Sequence, residues 1–253
     1  MKYSNKITAL IFLILLTVVS VKSYGQKDKI PTKNGELTII PINHATLAIE
    51  WNNEVIYFDP SGKESLFEGL ARPTIILITD IHGDHLDVTT LEQMNFNKVK
   101  IIGPKAVIDK LPSTFSDIIS LDNSIDLDIN GINIQAIPMY NLPETSDSRH
   151  PKGRGNGYVL TVGGKRIYIS GDTEDIQEMR SLKDIDVAFV CMNLPYTMDV
   201  DAAASAVLDF EPKIVYPFHY RGQGGLSDVA KFKELVQSKN SSIDVRLRNW
   251  YGQ

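Results

Sequence analysis

Cysteine is almost absent from this chain of 253 residues, and its single copy is Cys191. One cysteine cannot form an internal disulfide, so the core must be stable without that cross-link. The thiol ends the apolar run Ala188-Phe189-Val190, a pattern that predicts a cysteine buried in a strand. The alternative, a catalytic thiol, would need a nearby base, and each histidine has a better use elsewhere.

An excess of positive charge is also missing, since the formal net charge is −5. Residues 1–25 carry three lysines and no acidic residue, so the rest of the chain has a charge of about −8. Binding to a nucleic-acid backbone needs a basic face, and we therefore expect no nucleic-acid partner. The chain contains neither the Gly-x-Ser-x-Gly motif of serine hydrolases nor a P-loop.

A long apolar run occurs at the N-terminus, from Ile7 to Val21. Lysines precede it and the small residues Ser23 and Gly25 follow, which predicts a secretory signal peptide, residues 1–25, cleaved after Gly25. The alternative is an uncleaved anchor helix. With cleavage, we expect a periplasmic or secreted protein without stable membrane insertion. Residues 26–253 then form a single domain, because no linker or repeat divides them.

Three turn dipeptides predict β-hairpins: Asn52-Asn53, Asn130-Gly131 and Gly163-Gly164. The strands that flank them are Thr46–Trp51 with Val55–Phe58, Ile125–Ile129 with Ile132–Pro138, and Tyr158–Val162 with Arg166–Ser170, and Leu37–Ile42 precedes the first pair. Near-continuous apolar runs predict strands buried on both faces at Thr74–Thr79, Asp186–Met192 and Ile214–Phe218. Helices are expected at Ala106–Lys110, Ile176–Leu182, Asp199–Phe210 and Ser227–Ser238. This interleaving indicates an α/β fold.

The chain has only five histidines, and two of them lie in one dense cluster. The segment Asp80-Ile81-His82-Gly83-Asp84-His85 directly follows the predicted strand Thr74–Thr79. It places four candidate metal ligands within six residues of a loop. Imidazole and carboxylate together suit Zn, Fe or Mn, and the lack of thiolates argues against a closed structural zinc site.

The cluster resembles the His-x-His-x-Asp-His signature of the metallo-β-lactamase superfamily, with Asp80 in its first position. Further segments match the superfamily in chain order, and several resemble its lactonase-like and N-acylphosphatidylethanolamine phospholipase-D-like branch. These segments are Asn43-His44-Ala45-Thr46, Phe58-Asp59-Pro60, Tyr140-Asn141, His150-Pro151-Lys152-Gly153, Gly155-Asn156-Gly157-Tyr158, Gly171-Asp172-Thr173, Tyr196-Thr197-Met198-Asp199 and Pro217-Phe218-His219-Tyr220. The resemblance implies an αββα four-layer sandwich.

The resemblance also implies two divalent metal ions and a metal-bound hydroxide as the nucleophile. One ion would take Asp80, His82 and His150; the other would take Asp84, His85 and His219, with Asp172 bridging them. Asp84 and His44 are the candidate catalytic residues, although a purely structural role for His44 is equally open. Asp59 is expected to support the site or the structure.

Each outlying ligand has an alternative interpretation. Asp172 could cap a helix, His219 could be a satisfied histidine at a strand end, and His150 could be a surface residue of a polar loop. The carboxylate of Asp80 also lowers the charge of the site, which predicts a less acidic bound water and a preference for Mn or Fe over Zn. One ion instead of two is a further alternative.

The expected activity is metal-dependent hydrolysis of a lactone or phosphoester in a small molecule or lipid. Lys152 and Arg154, with Tyr140, are candidates for binding the substrate; a solvated basic loop is the alternative for the two cations. Two other functions stay open. The protein could be a non-catalytic metal- or ligand-binding protein on the same fold, or a true β-lactam hydrolase.

Overall fold

A computed structural model of the protein describes residues 27–252. The predicted signal peptide, 1–25, lies outside this range, so export stays a prediction. Among the described residues, no helix combines the length and apolar character needed to cross a membrane.

The first sheet has seven strands that follow one another in chain order. They are β1 (Asp28–Pro31), β2 (Glu36–Asn43), β3 (Thr46–Trp51), β4 (Glu54–Phe58), β5 (Ile75–Leu77), β6 (Lys100–Gly103) and β7 (Ile118–Ser120). Strands β1 to β4 pair antiparallel, and β4 to β7 pair parallel. The short β5 is buried throughout, as its apolar sequence predicted, although it spans only the centre of the expected range.

The second sheet also has seven strands, in the order β16-β13-β12-β11-β10-β9-β8. They are β8 (Asp126–Ile129), β9 (Ile132–Met139), β10 (Gly155–Val162), β11 (Lys165–Ile169), β12 (Val187–Cys191), β13 (Ile214–Phe218) and β16 (Asp244–Val245). Strands β8 to β11 form an antiparallel meander, and the remaining pairs are parallel. A separate two-stranded hairpin consists of β14 (Arg221–Gly222) and β15 (Gly225–Leu226).

The predicted hairpin turns are confirmed. Asn130 and Gly131 both have positive φ, 53° and 81°, as do Gly163 and Gly164. These conformations match the right-handed twist of the flanking strands, which is why Asn and Gly are favoured there. The strand pairs β8–β9 and β10–β11 follow directly from these turns.

Within residues 27–252 the chain forms five α-helices, which are α1 (Val88–Gln93), α2 (Lys105–Ile108), α3 (Gln177–Arg180), α4 (Val200–Phe210) and α5 (Val229–Lys239). The two long helices agree with prediction: side chains of Asp199 and Asp228 accept hydrogen bonds from Ala202 N and Lys231 N and fix their first turns. The predicted helices around 106–110 and 176–182 are each a single four-residue turn. Helix α1, capped by Asp87, was not predicted.

The sheets pack face to face between two helical layers, which confirms the αββα sandwich. Alternate residues of β2 to β5 point to opposite sides: Leu37 and Ile39 belong to the large core shared with the second sheet, whereas Ile40 belongs to a smaller outer core. The outer core is completed by residues such as Leu91 of α1 and Val107 of α2. Residues of α3, α4 and α5 extend the large core beyond the second sheet.

The two ends of the described chain meet. Asp28 in β1 accepts hydrogen bonds from Nε and Nη2 of Arg248 at 2.8 and 2.7 Å. Close by in sequence, Trp250 is fully buried and packs edge-on against Phe189 and Phe218. The C-terminal segment therefore belongs to the core and lies beside the strand end that carries His219.

Candidate metal centre

The predicted ligand segments meet where parallel strands of both sheets end. The segment containing Asp80 to His85 follows β5, Asp172 follows β11, and His219 follows β13. The two sheets are joined at this edge, because Asn156 N donates to Thr79 O at 2.9 Å. Carboxyl ends of parallel strands are the usual place for functional loops in open α/β sheets.

Three side chains form what we call the Asp80 half-site: Asp80, His82 and His150. Oδ2 of Asp80 lies 2.5 Å from Nδ1 of His82 and 3.9 Å from Nε2 of His150. Asp80 and His150 are completely buried, whereas His82 is partly exposed. The alternative of a surface role for His150 is therefore wrong.

A second group, the His85 half-site, consists of Asp84, His85 and His219. Nε2 of His219 lies 3.2 Å from Nε2 of His85 and 3.4 Å from Oδ2 of Asp84. Nε2 of His85 is 3.9 Å from Oδ1 of Asp84. Both histidines are buried, and Asp84 is 39% exposed, so the half-site faces solvent through this carboxylate.

Asp172 lies between the two half-sites. Its Oδ2 is 3.3 Å from Nε2 of His150 and 3.4 Å from Nε2 of His85, and its Oδ1 is 3.2 Å from Nε2 of His219. Helix α3 begins later, with Ile176 at its N-cap, so the interpretation of Asp172 as a helix cap is wrong. The position is the one that a ligand shared by two ions would need.

Hydrogen bonds behind the histidines fix which nitrogen faces the centre. Nδ1 of His85 contacts Asp59 Oδ2 at 2.8 Å, and Nδ1 of His150 contacts Asn141 Oδ1 at 3.1 Å. Each contact leaves Nε2 turned towards Asp172. Carboxylate and amide partners of this kind commonly orient histidine ligands of metals. The supporting role expected for Asp59 agrees with its geometry.

The donor set fits divalent metal ions. Three buried atoms, Nε2 of His150, Oδ1 of Asp172 and Nδ1 of His82, have no hydrogen-bond partner within residues 27–252, although other ligand atoms lie 2.5–3.3 Å away. Buried polar atoms normally have a hydrogen-bond partner. Ligand atoms that lie this close together without hydrogen bonds are the arrangement expected around a bound cation. Ligand atoms about 2.1 Å from a tetrahedral zinc ion lie about 3.4 Å apart, close to most separations observed here.

The electrostatics keep the carboxylates ionised. Burial raises the pKa of Asp172, but the charges of His219 and His85 outweigh it and hold this pKa well below its usual range. The pKa of Asp84 is lowered in the same way, with burial opposed chiefly by its contacts to His219 and His44. A carboxylate must be ionised to bind a metal, and both Asp172 and Asp84 are in that form.

His44 contacts the His85 half-site from the turn between β2 and β3. Its Nε2 is 3.4 Å from Oδ2 of Asp84, and its Nδ1 is 2.9 Å from the hydroxyl of Tyr251. Burial lowers the pKa of His44, which favours the neutral imidazole. The structure thus places both predicted catalytic residues, Asp84 and His44, in contact with each other.

Three residues of the centre have left-handed backbone conformations although none is glycine. The φ angles are 52° for His44, 43° for Asp59 and 45° for His219. Such conformations cost free energy for residues with a Cβ and concentrate at functional sites. Here each of them turns a side chain towards the centre at the end of a strand.

The three predicted substrate-binding residues all have partners inside the chain. Arg154 donates from Nε and Nη2 to the two carboxylate oxygens of Asp80, each at 3.2 Å. Lys152 lies 3.3 Å from Glu144 and 3.4 Å from Glu178, and the hydroxyl of Tyr140 donates to Glu178 at 2.9 Å. The prediction that Asp80 lowers the charge of the metal site did not include Arg154. The guanidinium of Arg154 compensates the extra negative charge of Asp80.

Sequence reasoning did not identify Tyr251 as part of the centre. It lies 207 positions from His44 in the chain, and no motif surrounds it. The expected role of Cys191 agrees with the structure: the thiol is fully buried in β12, and burial raises its pKa to about 11.

Comparison with known proteins agrees with this geometry. Residues 38–219 match the model of the Beta-lactamase superfamily domain. A UPF0173 metal-dependent hydrolase of Pyrococcus abyssi is 28% identical over 212 residues, covering 78% of this chain and 91% of the relative.

Two solved structures are also similar. A protein of Parabacteroides distasonis, described as a metal-dependent hydrolase, is 41% identical to this chain and superimposes with a TM-score of 0.80. The match covers 89% of this chain and 99% of the Parabacteroides chain. Igni18, a metallo hydrolase of Ignicoccus hospitalis, shares the fold with a TM-score of 0.72 at 22% identity, covering 86% of this chain and 96% of its own. This chain belongs to the metallo-β-lactamase superfamily and is a metal-dependent hydrolase.

Proposed function

We propose that this hydrolase cleaves a lactone or a phosphoester in a small molecule or lipid, with one divalent ion in each half-site. The observation that carries the proposal is the convergence of side chains on the space between the half-sites. Nε2 of His150 and Oδ1 of Asp172 are buried there without a hydrogen-bond partner within residues 27–252, and Nε2 of His219 lies 3.2 Å from Oδ1 of Asp172. The ligands of the two half-sites would hold the ions, which when bound would polarise an ester oxygen and lower the pKa of water towards neutrality. The lactonase-like branch predicted from the motifs is part of this proposal.

Tyr251 and His44, which lie beside Asp84, determine where protons are placed at this side of the centre. Tyr220 N donates to the hydroxyl oxygen of Tyr251 at 3.1 Å, which leaves the Tyr251 proton free to be donated to Nδ1 of His44. The neutral His44 then carries its own proton on Nε2, facing Asp84. This Nε2–H can donate a hydrogen bond to a leaving-group oxygen at the exposed side of the centre.

The substrate is proposed to have an apolar portion. Leu142, Leu194 and Leu226 are 42–48% exposed. Leu142 and Leu194 lie on loops and Leu226 lies on the β14–β15 hairpin, and we call these three segments beside the centre the rim. The loops are joined: Asn141 Nδ2 donates to Tyr196 O at 2.8 Å, and Gln223 N donates to Leu194 O at 3.0 Å. Exposed leucines on adjacent loops favour contact with an acyl or alkyl chain.

The rim also carries two exposed cations, Arg149 and Arg221. Neither forms an ion pair with Glu144 or Glu178, the two acids that contact Lys152. The guanidinium carbon of Arg149 lies 4.4 Å from the ring centroid of Tyr196, and that of Arg221 lies 4.0 Å from the ring of Tyr251. Arginines held over aromatic rings are well placed to meet a carboxylate or phosphate. We therefore favour an amphipathic, anionic ester.

The test is a hydrolysis screen of the Zn²⁺- and Mn²⁺-loaded protein on lactones and phosphodiesters that share a head group and differ in chain length. We expect kcat/KM to rise with chain length and to fall at least about 10²-fold in Asp84→Ala. Asp201→Ala, at an exposed position of helix α4, is the matched control. No turnover of any ester would favour a non-catalytic metal- or ligand-binding protein. Turnover confined to β-lactams would favour a true β-lactam hydrolase.

A further inference from the structure

Arg154 makes a side-on, two-point contact with Asp80, the residue that replaces the first histidine of the superfamily signature. Nε and Nη2 each donate to one carboxylate oxygen at 3.2 Å. Asp80 is completely buried, and Arg154 is 21% exposed, so the ion pair is largely shielded from water. Arg154 borders the Asp80 half-site through this contact, and Oδ2 of Asp80 also approaches His82 within the half-site.

This pair makes the two halves of the centre unequal in charge. A guanidinium is permanently protonated in proteins, so Asp80 and Arg154 together add no net charge beside His82 and His150. The His85 half-site keeps the uncompensated carboxylate of Asp84, and Asp59 stands behind His85. In the sparsely hydrated interior such a difference has a strong effect on the binding of a divalent cation.

We infer that Arg154 sets the metal affinity of the Asp80 half-site: by compensating Asp80 it makes this half-site the weaker and exchangeable one, while the His85 half-site fills first. Arg154 is thus a positioning residue that acts through Asp80 and does not bind substrate. The inference rests on the metal ligands assigned under the proposed function.

The test is calorimetric titration of the metal-free protein with Zn²⁺, combined with metal content by mass spectrometry. Wild type should bind two equivalents in two events, the second at least about tenfold weaker. Arg154→Met removes the compensating charge and should strengthen the second event roughly tenfold or more, leaving the first unchanged. The unchanged first event shows that the variant is folded.

A double-mutant cycle with Asp80 sharpens the test. Asp80→His leaves Arg154 uncompensated beside the ion, so the second Zn²⁺ should bind more weakly than in wild type. Adding Arg154→Met to Asp80→His should restore it. Arg154→Lys keeps the charge and should stay close to wild type, and Lys152→Met, which removes a neighbouring cation that faces Glu144, should change neither event.

The outcomes separate the two claims. Two Zn²⁺ events that Arg154→Met leaves unchanged or weakens would overturn the role of Arg154 and leave the proposed function intact. Absence of any Zn²⁺ binding to wild type would overturn the proposed function together with this inference. If Arg154→Met does not fold, Arg154→Gln, which also lacks the charge, must show the same strengthening.

Discussion

Asp59 and His85 form a buried pair in which Oδ2 lies 2.8 Å from Nδ1 and both side chains are 1% exposed. The carboxylate cannot rotate, because Thr79 donates to it from its backbone N at 2.7 Å and from its hydroxyl at 2.6 Å. Burial lowers the pKa of His85, but the charges of Asp172 and Asp59 outweigh it and raise this pKa well above its usual value. Asp59 therefore fixes His85 with Nε2 towards Asp172.

Asp59→Asn keeps the volume of the side chain and removes its charge. We expect the Zn²⁺ affinity of the His85 half-site to fall roughly 10–100-fold, because the imidazole loses the partner that orients it. Competitive titration with Zn²⁺ and a chelating dye measures the change. Asp126→Asn, in an exposed strand, is the control, and an affinity equal to wild type would show that Asp59 serves the fold alone.

Tyr251→Phe tests the proton arrangement at His44. Burial raises the pKa of Tyr251, so the phenol keeps the proton that it offers to Nδ1 of His44. Its loss should lower kcat about tenfold, less than removal of a general acid, and should alter the pH profile while Zn²⁺ content stays the same. Tyr220→Phe is the control, since that hydroxyl donates to the carbonyl of Arg248. A loss of Zn²⁺ in Tyr251→Phe would contradict this role.

Asp28→Asn should destabilise the protein at neutral pH by about 1–3 kcal/mol, because it breaks the charged hydrogen bonds to Arg248. Burial raises the pKa of Asp28, but bonds and charges, chiefly from Arg248, outweigh it and lower this pKa below 3.8. A carboxyl group whose pKa is lower in the folded than in the unfolded protein stabilises the fold at pH values above its pKa in the unfolded protein. This stabilisation is lost as the pH falls through its pKa in the folded protein.

Urea unfolding at several pH values tests this expectation. The difference between wild type and Asp28→Asn should be full at pH 6–7 and should shrink below about pH 4. The control is Asp244→Asn, whose exposed pair with Arg246 should contribute well under about 1 kcal/mol. A difference that is independent of pH would show that packing, not charge, holds β1.

Cys191 should not react with thiol reagents in the folded protein. Burial raises its pKa to about 11, so at pH 8 almost no thiolate is present. We expect no labelling by Ellman's reagent over hours in buffer and one equivalent in guanidinium. Rapid labelling of the native protein would place Cys191 on an accessible surface, in conflict with its position in β12.

The ligands could be predicted because they lie in short motifs next to apolar strands. Asp80 to His85 follow β5, and Asp172 and His219 follow β11 and β13, so local patterns locate them at strand ends. Partners brought together by tertiary packing have no such signal. Arg154 meets Asp80 across 74 positions, and its charge alone suggested a solvated loop or a substrate contact.

The helices show the same division. Helices α4 and α5 are long enough for an apolar stripe and have an aspartate cap, so the sequence predicted them closely. Helix α1 has only six residues and follows the ligand cluster directly. Its first turn is fixed by Asp87, whose carboxylate accepts from Thr90 N at 3.0 Å and whose neighbours in the sequence suggested a metal loop instead.

The contact between Asp28 and Arg248 also has a use in protein engineering. It brings residues near both ends of the described chain within 2.7 Å, on the side of the core where β1 pairs with β2. Neighbouring ends allow a chain to be reconnected by a short linker and opened elsewhere. The exposed turn at Asn130-Gly131, which contains no ligand of the centre, offers a place to open such a circular permutant without cutting a ligand segment.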